Sequence, residues 1–283
     1  MWNKNTETFI GCDNTFEESK FVLFGAPFDS TSSFRPGSRF AGKAMRADSY
    51  GLETYSPYMD MDLADIPVFD AGELELCIGN AEIALLEIEE FALKLLREKK
   101  YPVMLGGEHL VTLGVIRSLI KKYPDLHVVH FDAHADLRDD YLGAKLSHAT
   151  VMRRVWELLG DGRIYQFGIR SGDKSEFVWG REHVKTQKFD FEGLWETVEA
   201  LKGKPVYFTL DLDVLDPSVF PGTGTPEAGG VGFKELLSEL RLLSSLDIVG
   251  FDLVELSPAY DLSGVSTAVA CKLLRELLMI FSQ

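Results

Sequence analysis

Apolar positions along this chain follow two periods in turn. Short, near-continuous apolar runs closed by Gly, Pro or Asp recur at residues 21–27 (F-V-L-F-G-A-P), 67–71, 102–106, 126–131, 163–168, 206–210 and 247–253. Runs of this length bounded by turn residues read as strands buried on both faces. Between them the apolar residues recur at helical spacing. The clearest case is 81–98, where Ala81, Ala84, Leu85, Ile88, Ala92, Leu95 and Leu96 form one stripe among acidic and basic residues. Helices are also expected over 110–123 (stopped by Pro124), 148–159 (with Ser147 as N-cap), 191–201, 233–243 and 273–281. Residues 1–20 are polar without a strong period and read as an N-terminal arm or surface segment. Residues 30–42 read as a long loop beyond a strand end, a common place for site residues.

Strands alternating with helices predict a parallel sheet covered on both faces. Nothing resembles a linker, a low-complexity tract or a repeat of solenoid period. The expectation is therefore α/β: a single three-layer α/β/α domain over residues 1–283 with a mostly parallel sheet.

Composition narrows the functional classes. The chain has 283 residues, 46% of them hydrophobic, enough for a large core. No apolar run approaches the roughly 20 residues needed to span a bilayer, and the N-terminus lacks a signal-peptide pattern. Cys12, Cys77 and Cys271 are scattered without a C-x-x-C, as expected of inert thiols in a reducing cytosol. These features point to a cytoplasmic protein with no membrane partner. The net charge of −15 argues against nucleic acid as a partner, because such binders need a basic face. An acidic cleft concentrates cations instead.

The candidate chemistry collects just after the predicted strands. Asp132, His134 and Asp136 follow the strand at 126, and Asp211 and Asp213 follow the strand at 206. In an extended chain, every second residue projects to the same side. Gly106-Gly107-Glu108-His109 and Asp252–Glu255 follow two further strands. In open parallel sheets, ligands bind beyond the carboxyl ends of the strands, so these tips are expected on one rim. Six groups, His109, Asp132, His134, Asp136, Asp211 and Asp213, exceed the needs of one tetrahedral zinc, and none is a thiolate. Four carboxylates with two imidazoles suit a harder divalent ion such as Mn²⁺, singly or as a bridged pair. His130, inside the strand, is expected to be a core histidine or a support for a ligand.

The stretches G-G-E-H at 106, F-D-A-H-A-D at 131, S-H-A-T at 147, D-L-D-V-L-D-P at 211 and V-E-L-S-P at 254 resemble those of the ureohydrolases, the arginase and agmatinase family. The local sequence is closest to the family's bacterial agmatinase branch. The resemblance implies an arginase-like α/β fold with about eight strands, two Mn²⁺ per chain and a homo-oligomer, either trimer or hexamer. It implies hydrolysis of a guanidino group to urea and an amine. One ion would be held by His109, Asp132, Asp136 and Asp211, the other by Asp132, His134, Asp211 and Asp213. The catalytic positions would be Asp136 as proton donor to the departing amine, His148 as proton shuttle and Glu255 as the carboxylate orienting the guanidinium. Asp173 would contact a distal ammonium of the substrate.

Agmatine, a small dication, suits an acidic mouth, and its products would be putrescine and urea. The alternative is arginine or a carboxylated guanidino compound such as guanidinobutyrate. It would be favoured if Arg138 faced the pocket rather than solvent, Asp139 or Asp140. A metal-dependent amide deacetylase or a non-catalytic scaffold of the same fold are further alternatives. The first is disfavoured by the number of acidic ligands, the second because no ligand position is lost.

Overall fold

The apolar runs do become strands, and their ends define where the chemistry gathers. A computed structural model of the chain describes residues 7–283. In chain order the elements are β1 (Phe21–Gly25), α1 (Ala41–Ser49), β2 (Tyr55–Ser56), β3 (Met61–Asp62), β4 (Val68–Glu73) and α2 (Ala81–Arg97). Then come β5 (Tyr101–Leu105), α3 (Thr112–Lys122), β6 (His127–Phe131), α4 (Val151–Leu159), β7 (Ile164–Ile169), α5 (Lys174–His183) and β8 (Lys185–Lys188). The chain closes with α6 (Leu194–Leu201), β9 (Pro205–Asp211), α7 (Phe233–Leu242), β10 (Asp247–Val254) and α8 (Val265–Ile280).

Eight strands form one sheet in the order β4-β1-β5-β10-β9-β6-β7-β8, every neighbouring pair parallel. The tiny β2–β3 hairpin stands apart. On one face, Met45, Val198, Leu240 and Leu274 bring α1, α6, α7 and α8 against the sheet. On the other, Ile88, Ile116 and Val155 bring α2, α3 and α4 against it. This is the expected three-layer α/β/α arrangement.

The strand order reverses direction between β5 and β6, which are consecutive in sequence but separated in the sheet by β10 and β9. Loops leaving β5 and β6 therefore run to opposite sides, opening a crevice over the four central strand ends. Those four strands carry all the tip motifs singled out above.

Besides the unforeseen β2–β3 hairpin, four features depart from the sequence reading. Residues 7–20 are packed rather than an arm: Phe9, Cys12 and Phe16 are buried, and the Phe9 N–H donates to Asp70 at 2.8 Å. Two aromatics seven residues apart carry no period, so the burial was invisible. The remainder of the expected arm, residues 1–6, lies outside the described residues. Helix α1 begins where a loop was expected, and α8 starts at Val265, eight residues before the predicted stripe. Its first half, V-S-T-A-V-A-C-K, packs with small residues that make no hydrophobic stripe. Helix α5 and edge strand β8 (K-T-Q-K) were missed, because β8 has no buried residue and α5 has only Glu176 and Gly180.

Close approach at the β5 tip explains the glycine pair before His109. A Cβ on Gly107 would lie 1.8 Å from the Phe28 carbonyl oxygen, and one on Gly106 would lie 2.4 Å from Val254 Cγ1. Backbone cannot yield at 1.8 Å, so Gly107→Ala is expected to lower the thermal midpoint sharply and to reduce bound metal. Gly79→Ala, with nothing within 4 Å of the added carbon, serves as the neutral comparison.

Candidate metal centre

The tips meet as predicted, though not by strand alternation alone. Strand β6 ends at Phe131, and Asp136 takes a positive φ of 53°. Asp211 closes β9, but Asp213 sits on the helical turn that follows, its N–H donating to Asp211 Oδ1 at 2.9 Å. The turn and the left-handed residue aim the side chains inward where a continued strand would have carried them past the site.

Around His109 Nδ1 lie Asp132 Oδ2 at 3.1 Å, Asp211 Oδ2 at 3.2 Å and Asp136 Oδ2 at 3.3 Å. His134 Nδ1 lies 2.9 Å from Asp213 Oδ2 and 3.5 Å from Asp132 Oδ1. Asp132 joins the two groups. Ligand atoms of Asp132, His134 and Asp213 all fall within 4.8 Å of one another, as do those of His109, His130 and Asp132.

The other ring nitrogen of His109 says which face carries the proton. Thr209 gives its hydroxyl hydrogen to Asp252 Oδ1 at 2.6 Å, and its oxygen lies 2.9 Å from His109 Nε2. Asp252 also accepts from Tyr207 and Thr112, both at 2.7 Å. That oxygen can therefore only accept, which places the hydrogen on Nε2 and leaves Nδ1 bare toward three carboxylates. A lone pair facing three anions is repulsive unless a cation or a proton stands between them. Burial alone would lower the His109 pKa, but hydrogen bonds that its ring can give to the carboxylates of Asp132, Asp136 and Asp211 outweigh burial and raise it well above its usual value, so the site favours a positive charge at that nitrogen. The donor set, oxygen and imidazole without thiolate, fits a hard or borderline divalent ion.

His130 is fully buried and is a support for Asp132, as expected. Gln166 Nε2 donates to its Nδ1 at 3.0 Å and to the Ala135 carbonyl at 2.7 Å. The Nε2 hydrogen of His130 therefore points at Asp132 Oδ2, 2.8 Å away.

A cavity of about 260 Å³ opens above the cluster, lined among others by Asp136, Asp211, His134, His148, Glu255, Arg138, Tyr141 and Glu176. Glu255 is buried at a positive φ of 68° and accepts the His109 N–H at 2.7 Å. Burial, then the neighbouring Glu108, raises its pKa well above the usual carboxylate range. His148 is held by neutral groups: its backbone N–H donates to Thr31 Oγ1 at 3.1 Å, its Nε2 lies 3.1 Å from Ser33 Oγ, its Nδ1 lies 3.3 Å from Ser147 Oγ, and the Tyr141 ring packs edge-on against it. Burial pushes its pKa down to about 4, so it is neutral at pH 7.

Two sequence readings are corrected. Asp173 does not line the cavity; it caps α5, its side chain half exposed and bonded to Ser175 N at 3.0 Å. The lining carboxylate from that helix is Glu176, three residues on. Arg138 does not pair with Asp139, which accepts from Arg154 at 3.0 Å, or with Asp140. It faces the cavity, 3.4 Å from Glu176 and 3.9 Å from Asp173, its guanidinium 4.9 Å from the centre of the Tyr141 ring. Glu176, Tyr141, Ser33 and Thr209 were not foreseen. The capping pattern D-x-x-E at 173 was the one available signal for Glu176.

The sequence model of the arginase family matches residues 19–280. An agmatinase of Bacillus cereus is 49% identical over 277 residues, 96% of each chain. The N(1)-aminopropylagmatine ureohydrolase of Thermococcus kodakarensis is 38% identical over 91% of this chain and 89% of its own. The solved agmatine ureohydrolase of Thermoplasma volcanium superposes with a TM-score of 0.89 at 36% identity, covering 98% of this chain and 95% of that one. The chain belongs to the arginase family.

Two outcomes are expected. Thr209→Val frees the His109 tautomer and lowers Mn²⁺ affinity by roughly 10–100-fold, as removal of such outer partners does. Unchanged affinity by titration calorimetry would contradict the tautomer argument. The second concerns Glu108, fully buried, whose pKa burial raises to about 7. A carboxylate raised on folding contributes stability below its unfolded value of 4.5, lost as pH rises through about 7. Metal-free protein should therefore lose roughly 3 kcal/mol more over that window than Glu108→Gln does. Parallel denaturation curves for the two proteins across that pH range would exclude it.

Proposed function

We propose that the chain hydrolyses the guanidino group of agmatine, giving putrescine and urea. The observation carrying this reading is a cation-seeking cluster of His109, Asp132, His134, Asp136, Asp211 and Asp213 at the floor of a cavity walled by Glu255. His109, Asp132, Asp136 and Asp211 would hold one ion and Asp132, His134, Asp211 and Asp213 the other, Mn²⁺ in both. Such a pair, when bound, supplies Lewis acidity and a water acidic enough to be hydroxide near neutral pH.

The chain's own residues do the rest. Glu255 pairs with the planar guanidinium and fixes its orientation, a charge-assisted contact for which the carboxylate is already aimed by the His109 N–H. Asp136 reaches the cavity from the cluster and can pass a proton to the departing amine. His148, neutral at pH 7, can accept a proton from the cavity and release it past Ser33 toward solvent. The relatives named agmatinase support agmatine as the substrate.

Arg138 lines the cavity, the condition under which a carboxylated substrate was expected. Its guanidinium lies within ion-pair distance of Glu176 in the wall and of Asp173 behind it, however, and the two carboxylates outnumber its single charge. This favours an ammonium over a carboxylate at that end, and agmatine over arginine or guanidinobutyrate. By family likeness the chain acts as a cytoplasmic homo-oligomer, a trimer or hexamer, each subunit a single domain.

The test is urea release from Mn²⁺-loaded protein with agmatine and arginine side by side, agmatine expected to be strongly preferred. Glu255→Gln should keep two ions per chain while turnover falls on the order of 100-fold, the cost of a misplaced substrate. Full activity in that variant would remove Glu255 from the mechanism.

A further inference from the structure

Four carboxylates line the cavity: Asp136, Asp211, Glu255 and Glu176. The first two belong to the metal cluster, and Glu255 packs against it through His109. Glu176 stands apart, at the end of the cavity shared with Arg138 and Tyr141. It is held in place, because Oε1 accepts the Leu137 N–H at 2.9 Å and Oε2 accepts the Asp173 N–H at 2.6 Å. It cannot turn away to a different partner. Arg138 approaches it from the cavity side, with Nε 3.4 Å from Oε2, while its guanidinium rests over the Tyr141 ring.

We infer that Arg138 determines specificity at the outer end of the cavity, admitting one terminal ammonium and turning away guanidino compounds that carry a second amine farther out. This rests on the agmatine reading above. Glu176 is the one carboxylate of the lining that a substrate tail can reach away from the cluster and Glu255, and Arg138 already shares it. One further ammonium can be offset by that carboxylate; a second would face Arg138 as an uncompensated like charge inside a partly enclosed space. The Arg138 side chain also occupies the wall past which a longer tail must run. A carboxylated tail gains little, since Glu176 and Asp173 stand beside the same guanidinium. Arg138 thus acts by repulsion as much as by contact. Without it, Glu176 would be open to amines with no like charge beside it.

The experiment compares urea release by the wild-type chain, Arg138→Gln and Arg138→Ala, all loaded with Mn²⁺. The substrates are agmatine, agmatine bearing an aminopropyl group on its terminal amine, and 4-guanidinobutyrate. The wild-type chain should favour agmatine. Arg138→Gln, which removes charge but keeps length, should move the kcat/KM ratio toward the extended amine by about tenfold. Arg138→Ala, which also opens space, should move it further. A ratio unchanged in both variants overturns the inference. So does a wild-type preference for 4-guanidinobutyrate that Arg138→Gln abolishes, which would make Arg138 a carboxylate clamp. No urea from agmatine with the wild-type chain overturns the underlying reading instead, and that failure is seen before any variant is assayed.

Discussion

Four carboxylates crowded around two imidazoles in a buried crevice are the constraint on which the rest of the structure depends. Water cannot screen them, because Asp132, Asp211, Asp213 and Asp136 are all buried. Burial and mutual repulsion drive Asp211 well above the usual carboxylate range and Asp136 up to about 7. Asp132 escapes because hydrogen bonds with His109, His130 and His134, together with the electrostatic attraction of His130, outweigh its burial. The surrounding acids are supported by neutral donors. Asp252 receives three hydroxyls, and Glu108 receives the Thr31 N–H and hydroxyl and the Ser32 hydroxyl. Neutral donors satisfy those oxygens without cancelling their charge. The centre is left short of positive charge, which a divalent pair would supply.

The sheet makes this crowding possible. Strands β5, β10, β9 and β6 are adjacent and parallel, so their carboxyl ends arrive at one level within a few strand spacings. Reversal of the strand order there sends the β5 and β6 loops apart and keeps the space above open. Strand ends alone do not finish the geometry. Asp136 and Glu255 adopt left-handed backbone, uncommon for residues with a Cβ and worth about 1 kcal/mol of strain each. Strain of that kind persists where neighbours over-determine a position. At Glu255 they include the N–H bond to the Gly107 carbonyl and the carboxylate bond to the His109 N–H.

What the sequence revealed follows from this division. Strands buried on both faces announce themselves, and so do acids and histidines placed just beyond them. The six cluster residues were therefore legible, and so was the α/β order. The alternation argument grouped Asp211 with Asp213 and Asp132 with Asp136 correctly, although a helical turn and a left-handed residue do part of that work. Less legible was whatever depends on polar residues meeting across long separations. Glu176 reaches the cavity only because α5, a helix without an apolar stripe, packs its first turn against the chain after Asp136. Thr209 sits inside an apolar strand and looks like any β-branched residue there. Arg138 was assigned to acids beside it in sequence, yet its carboxylate partners lie more than thirty residues away.

The three histidines facing the cavity or its floor show how position assigns chemistry to one side-chain type. His109 and His134 are surrounded by carboxylates, which outweigh burial and raise their affinity for positive charge, whether proton or metal. His148 is held by hydroxyls instead, those of Thr31, Ser33 and Ser147. Burial lowers its pKa to about 4, and the positive charge of His134 and His109 adds to that effect. Binding of divalent ions in place of protons at the first two would keep positive charge near the third. An imidazole in that setting stays neutral at pH 7 and gives up any proton it accepts readily, the behaviour a transfer group needs and a ligand does not. The loop from Asp29 to Arg39 sustains this difference, because Asp29 accepts the Gly37 and Arg39 N–H groups and Glu108 holds Thr31 and Ser32. A carboxylate in place of the Thr31 or Ser33 hydroxyl would draw His148 toward the charged form. The neutral residues of that loop are therefore as much a part of the site's electrostatics as the acids below them.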